Sequence, residues 1–278
     1  MVDGCGSLGK LDEELCARWM QVAAFMPMFR GYYNQTYLDD ASVQQQTDPS
    51  EFYAFKSFDW QTASTSAIAQ RLPFTRYLYS QLYYAYRVGA AIVHPMFYDF
   101  PEDDFAFLNV EQTYMVGDSL KISPVLDQGK KDGDTYKSYF PKGLWYDLND
   151  QKTVINTTAK GDYQTLIVSN THTNVHLKGG KIIPYQANTQ GLKTTRDFET
   201  QLRMSFKVAR DPALKYADGY VLIDDGISAD SYAVPPAGSS AQKFTFWKLR
   251  YAEKSINFWV EYGDFQYEPP AEYQIHYL

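Results

Sequence analysis

The chain has 278 residues, of which 45% are hydrophobic and 21% charged, and its formal net charge is −7. That length suits one large domain or two to three small ones, with enough apolar content to fill their cores. An acidic chain without Lys/Arg clusters is a poor ligand for nucleic acid or an anionic membrane, and no apolar run approaches the roughly 20 residues that span a bilayer.

The start, Met1-Val2-Asp3-Gly4, has no basic stretch leading into an apolar core. It reads as mid-domain sequence and not as a signal peptide. Leu15, Trp19, Val22 and Met26 recur at spacings of four, three and four, which predicts a helical face. Asp12 caps its start, and Asp12, Glu13 and Glu14 complement the helix dipole. Pro27 stops the helix, and Met28-Phe29-Arg30 follows as a short buried strand. Such alternation belongs to β/α folds.

Residues 31–60, with Gln44-Gln45-Gln46 and Asp48-Pro49, have the irregular character of a long loop after a strand. In β/α barrels such loops build the active-site face. Residues 61–88 predict two helices meeting at Pro73, with apolar faces from Ala67, Ile68, Leu72, Phe74, Leu78, Leu82 and Tyr86. Gly89 supplies the stop. After His94-Pro95 the signals turn to β: Ile122–Leu126, Leu144–Leu148, Asn174–Leu177, Lys181–Pro184, Tyr220–Ile223 and Lys243–Trp247. Gly179-Gly180 reads as a hairpin turn, and short strands spaced by turns predict sandwiches. Aromatic residues make up 17% of the chain, with 24 Tyr and 17 Phe. Most are expected in β cores, and exposed ones suit stacking on sugar rings.

The acidic pairs Asp39-Asp40, Asp103-Asp104 and Asp224-Asp225 are expected in solvated turns, because neighbours on an extended chain face opposite ways and cannot converge on one bond. His94, His172, His176 and His276 lack zinc-ligand spacing, and neither a nucleophile elbow nor a phosphate loop occurs, so no metal and no cofactor is expected. The rings of Trp145 and Tyr146 are expected in a core. Cys5 and Cys16 are the only cysteines. They are either thiols or a bridge closing a short loop from a strand end to a helix. Asn34-Gln35-Thr36 and Asn156-Thr157-Thr158 are glycosylation sequons.

Several ordered stretches share one resemblance. They are Val2 to Ser7 through Glu14 to Gln21 and on to Pro27–Arg30; Leu78 to Phe97; Val116 to Val125; Tyr139 to Asp147; Val175 to Pro184; and Asp224-Asp225-Gly226. Together they resemble glycoside hydrolase family 31, the α-glucosidase family, in its C-terminal portion. The resemblance implies an α/β plus all-β chain: the last β/α elements of a TIM-type barrel over residues 1–96, a proximal β-sandwich over 97–187 and a distal one over 188–278. The reaction it implies is retaining hydrolysis of terminal α-glucosidic bonds by two carboxyl groups about 5–5.5 Å apart. Both belong to barrel strands earlier in the family than anything present here, so no catalytic residue carries over.

Part of a sugar pocket does carry over. Asp3 matches a carboxylate near the end of a late barrel strand; it accepts from sugar hydroxyls, holds a neighbouring Arg, or caps the strand-to-helix turn. Arg30 matches an Arg at the end of the last barrel strand, where its fork clamps a ligand or pairs with Asp3. Ser7 stands where the family usually has an aromatic residue, and Tyr32 where it usually has a sugar-contacting His. Secreted and lysosomal members carry a disulfide at the positions of Cys5 and Cys16. With the sequons this implies a secretory-pathway parent, lysosomal or extracellular. Two readings follow. One is an enzyme piece, inert alone, that handles an α-glucoside or oligosaccharide with the missing barrel portion or a partner chain covering its open edge. The other is a non-catalytic carbohydrate-binding or assembly module derived from it.

Overall fold

In the computed structural model the described residues are 2–4, 12–31, 56–186, 189, 204–224, 244–263 and 273–278. They form two compact units, one of residues 1–71 and 92–176, the other of 72–91 and 177–278.

The first unit opens with β1 (Val2–Asp3), α1 (Glu13–Ala23) and β2 (Phe29–Arg30). β1 and β2 pair in parallel, Val2 opposite Phe29 and Asp3 opposite Arg30. A parallel pair with a helix between its strands is a βαβ unit. Asp12 accepts from the backbone N–H groups of Glu14 and Leu15 and caps α1. The buried face of α1 carries Cys16, Ala17, Met20 and Ala23, whereas Leu15 and Trp19 are 45% and 37% exposed. The predicted apolar face is therefore rotated from the one that packs, and α1 lies against α2 (Phe58–Arg71). β2 is also less buried than its sequence suggests, with Met28 and Arg30 both exposed.

Leu72–Phe74 makes a 3-10 turn around Pro73 and leads into α3 (Thr75–Val88), which Gly89 ends in the left-handed region at φ 73°. Phe74 and Leu78 are buried as expected, but Leu72, Leu82 and Tyr86 are exposed.

The rest of the first unit is a sandwich built from β3 (Val93–His94), a short α4 (Asp104–Leu108), β4 (Tyr114–Val116), β5 (Leu120–Ser123), β6 (Thr135–Phe140), β7 (Leu144–Asp147), β8 (Val154–Asn156), β9 (Asp162–Ile167) and β10 (Asn174–Lys178). One sheet has the order β3-β4-β5-β10-β7-β8, and β6 pairs with β9. Met96, Met115, Tyr139, Phe140, Trp145 and Leu166 fill its core. Trp145 is fully buried and donates from Nε1 to the Pro141 carbonyl at 2.9 Å. Each buried ring of this size contributes about 2–3 kcal/mol through area removed from water.

The second unit holds α3 with β11 (Lys181–Tyr185), β12 (Met204–Ala209), β13 (Ala217–Asp224), β14 (Phe244–Ala252), β15 (Ser255–Gly263) and β16 (Tyr273–Tyr277), in the sheet order β15-β14-β13-β11-β12-β16. Gly179-Gly180 does not close a hairpin: β10 and β11 lie in different sheets, and the turn carries the chain from one to the other. β11 pairs instead with β12 and, in parallel, with β13. That parallel contact needs Gly219, where a Cβ would lie 1.9 Å from the Ile182 carbonyl oxygen. α3 covers this sheet through Tyr83, which packs on Phe244 and Phe246, and through Ser80, whose Oγ accepts from the Leu222 N–H at 2.9 Å.

Two charged-type side chains lie fully inside the first unit's sandwich. Lys121 donates to Ser123 Oγ at 2.6 Å and Ser138 Oγ at 3.0 Å and sits 3.9 Å from the Phe140 ring centroid. His176 lies edge-on to the same ring, with neither nitrogen hydrogen-bonded and Asp147 Oδ2 at 3.9 Å from Nε2. Burial, with the Lys121 charge second, pushes the His176 imidazole down from 6.5 to about 3, and burial holds the Lys121 amine well below its usual value.

The unfolded chain therefore takes up a proton at His176 near pH 6.5 that the folded chain refuses until about pH 3. Stability from this residue is complete above 6.5 and is lost as pH falls toward 3, at about 1.4 kcal/mol per unit. Urea midpoints measured from pH 7 to pH 4 are expected to fall steeply in the wild type and more gently in His176→Phe.

Candidate functional site

The C-terminal ends of parallel strands are where β/α proteins place ligand-handling residues. Asp3 and Arg30 hold those positions on β1 and β2 and are register partners. The pairing is closed by hydrogen bonds from the Val2 N–H to the Met28 carbonyl at 3.1 Å and from the Gly4 N–H to the Arg30 carbonyl at 2.7 Å. Gly4 lies against α1, where a Cβ would meet Met20 Cε at 3.0 Å. Arg30 is exposed.

The approach into β2 is fixed by a residue that no sequence reading singled out. Arg71, at the last position of α2, donates to the carbonyl oxygens of Ala24 at 2.7 Å, Pro27 at 3.1 Å and Met26. Its guanidinium also lies 5.6 Å from the Phe29 ring. The Ala24 carbonyl caps the negative end of α1 and the other two follow it, and a planar fork can serve several at once. Burial lowers the Arg71 pKa from its ordinary value, and Tyr114 nearby opposes that shift. On the other side of α1, Arg18 donates to Gln21 and the Lys130 carbonyl, both at 2.9 Å, while Gln21 donates to the Ser169 carbonyl at 3.0 Å. The helix is thereby tied to the sandwich loops of its own unit.

Of the other expected residues, Tyr32, Ser7, Cys5, Asn34 and the Asp39-Asp40 pair lie outside the described residues. Cys16 is buried on α1. Asn156 is exposed on β8, and its Oδ1 accepts from the Thr158 hydroxyl at 2.7 Å. Of the other acidic pairs, Asp104 is exposed as expected and Asp225 lies outside the described residues, whereas Asp103 and Asp224 are held by partners. Asp103 caps α4 and accepts from Tyr139. Asp224 is buried at the end of β13, where it accepts from the Tyr79 hydroxyl at 2.5 Å. Both carboxylates accept from a tyrosine hydroxyl distant in sequence, which a linear sequence does not display.

Arg71→Ala frees three carbonyls and removes the support beneath β2. It is expected to lower unfolding stability by about 2–4 kcal/mol, with Arg71→Lys recovering part of the loss; equilibrium urea unfolding measures both.

Sequence models for two domains match the chain. The glycosyl hydrolases family 31 TIM-barrel domain matches residues 2–81, and the glycosyl hydrolase family 31 C-terminal domain matches residues 89–183. The chain is 33% identical over 228 residues to an alpha-glucosidase of Hordeum vulgare, covering 82% of this chain and 24% of that one. It is 32% identical over 243 residues to the lysosomal alpha-glucosidase of Rattus norvegicus, covering 81% and 23%. The chain thus spans about a quarter of the length of these relatives. Its fold is that of solved family members. A Tris-bound glucosidase II alpha subunit matches with TM-score 0.75 at 20% identity, over 95% of this chain and 26% of that one. A GH31 dextranase of Flavobacterium johnsoniae bound to glucose matches with TM-score 0.70 at 21% identity, over 99% and 31%.

Proposed function

The chain belongs to glycosyl hydrolase family 31, as the C-terminal portion of an alpha-glucosidase-like protein, and on that basis we propose that it serves retaining hydrolysis of terminal α-glucosidic bonds without itself carrying the nucleophile or the acid/base carboxylate. The observation that carries this reading is the parallel pairing of β1 and β2, which sets Asp3 and Arg30 at one strand-end level inside the segment matched to the barrel domain.

In this reading Asp3, Arg30 and Tyr32 contact the sugar. A carboxylate accepts from vicinal hydroxyls, and a guanidinium donates to ring or hydroxyl oxygens in a fixed fork. The retaining carboxyl pair lies outside these 278 residues and meets this edge in cis or from a partner chain. Exposed Leu15, Trp19 and Met28 around α1 and β2 support such a covering surface, since apolar side chains of that size favour burial. The domain plan that goes with the reading is a barrel portion over 1–96 and sandwiches over 97–187 and 188–278.

A Cys5–Cys16 bridge, glycans on Asn34 and Asn156 and a secretory-pathway location, lysosomal or extracellular, belong to the same proposal. Support comes from Cys16 not being a free thiol, from the exposure of Asn156 and from lysosomal relatives. The second reading, a non-catalytic carbohydrate-binding or assembly module, is favoured by Ser7 and Tyr32, which depart from the family pattern.

An aryl α-glucoside assay on the purified chain is expected to show no turnover, with circular dichroism confirming a folded sample. Turnover that survives repurification and is lost in Asp3→Asn would place a catalytic carboxylate within these residues and overturn the reading.

A further inference from the structure

In the first unit, a cleft of about 620 Å³ lies between the segment leading into α4 and the turn before β9. That is within the range of about 300–1,000 Å³ usual for small-molecule sites. Phe105, Tyr139 and Tyr163 line it, with Asp103 between them and Lys142 and Lys160 at its margin. We propose that this cleft is a saccharide-binding site separate from the strand-end site at Asp3 and Arg30.

The rings form a layered wall. Phe105 stacks on Tyr139 at 5.7 Å and 28°, and Tyr163 meets Tyr139 edge-on at 5.2 Å. Tyr139 is 2% exposed, whereas Phe105 is 52% and Tyr163 39% exposed. The inner ring is thus a support and the outer two present open surface. Leaving a Phe half in water on a five-residue helix costs apolar burial that a sugar's C–H face would recover.

The polar groups are built into the wall. The Tyr139 hydroxyl donates to both oxygens of Asp103 at 2.8 Å. Asp103 Oδ1 also accepts from the N–H groups of Phe105 and Ala106 at 3.1 and 3.2 Å. An ionised carboxylate has about four acceptor positions, so Oδ2 keeps capacity for a ligand hydroxyl. Burial and the Asp103 carboxylate raise the Tyr139 phenol, so it stays a donor in that pair. Gly161 closes the floor: a Cβ there would lie 1.9 Å from the Tyr139 hydroxyl and 2.9 Å from Asp103 Oδ2. Only glycine lets the main chain lie against the pair.

The lining selects the ligand class. Glu102, Asp103, Asp104 and Asp162 disfavour anions, and Lys142 and Lys160 disfavour an organic cation. A purely apolar ligand would leave Asp103 without recompense for lost water. A neutral polyhydroxylated ring uses all three: C–H face on Phe105 or Tyr163, hydroxyl donors to Asp103, hydroxyl acceptors for lysine. These contacts share no residue with β1 or β2, so this site stands apart from the proposed reaction.

Calorimetry and saturation-transfer NMR on the 278-residue chain, with maltotriose and isomaltotriose as probes, test this directly. At least one trisaccharide is expected to bind, with Phe105→Ala and Tyr163→Ala each weakening it about tenfold. Phe105→Ala removes an exposed ring, so circular dichroism should match the wild type. Arg30→Ala reports separately on the strand-end site and is expected to leave this binding in place. Failure of both probes to bind, binding unchanged in Phe105→Ala, or binding that disappears with Arg30→Ala would each overturn the proposal.

Discussion

The turn from α1 into β2 is held by one guanidinium. Arg71 reaches from the end of α2 to the carbonyls of Ala24, Met26 and Pro27, in the short stretch that turns from α1 into β2. Two-residue strands have too few ladder bonds to hold a register by themselves, and β1 and β2 are of that length. The turn must therefore be held from outside, and a cation with five donors serves the C-cap carbonyl of α1 and two carbonyls just beyond it. Once the turn is fixed, Asp3 and Arg30 fall into register and Gly4 can lie against Met20. The site is thus set by a residue that need not touch any ligand.

The sandwich that follows contains its own polar interior. Lys121 and His176 flank Phe140, one amine satisfied by two serine hydroxyls and one imidazole with no hydrogen bond. Burial favours the neutral form of both groups, and at His176 the Lys121 charge adds to that preference. Replacing such groups by apolar ones of similar shape is often neutral or stabilising. In the second unit the sheet meets the opposite problem, close backbone approach, and Gly219 answers it by allowing the parallel contact with β11.

Much of this was legible in the sequence. Asp12 as a cap, the break at Pro73, the stop at Gly89 and the burial of Trp145 follow from local chemistry, and each stands in the structure. The run of family-like motifs pointed to the family and to a barrel end with C-terminal β structure. What failed was everything decided by distant partners. The buried face of α1 carries Cys16, Ala17, Met20 and Ala23 and not its largest apolar residues, so Leu15 and Trp19 stand exposed. Gly179-Gly180 has the local chemistry of a hairpin, yet the strands on either side pair elsewhere. Asp224 looks like half of a solvated acidic turn and is instead buried against Tyr79. Arg71 carried no signal at all, because its partners lie more than forty residues away.

The dependence of the strand pair on Arg71 is open to direct measurement by amide hydrogen exchange, read by NMR at Gly4. The Gly4 N–H donates to the Arg30 carbonyl only when β1 and β2 are in register. The account predicts a protected Gly4 amide in the wild type and exchange at least about tenfold faster in Arg71→Ala, equivalent to about 1.4 kcal/mol of local opening. A Gly4 amide that exchanges at the rate of an unstructured peptide in the wild type, or whose protection is unchanged in Arg71→Ala, would contradict it.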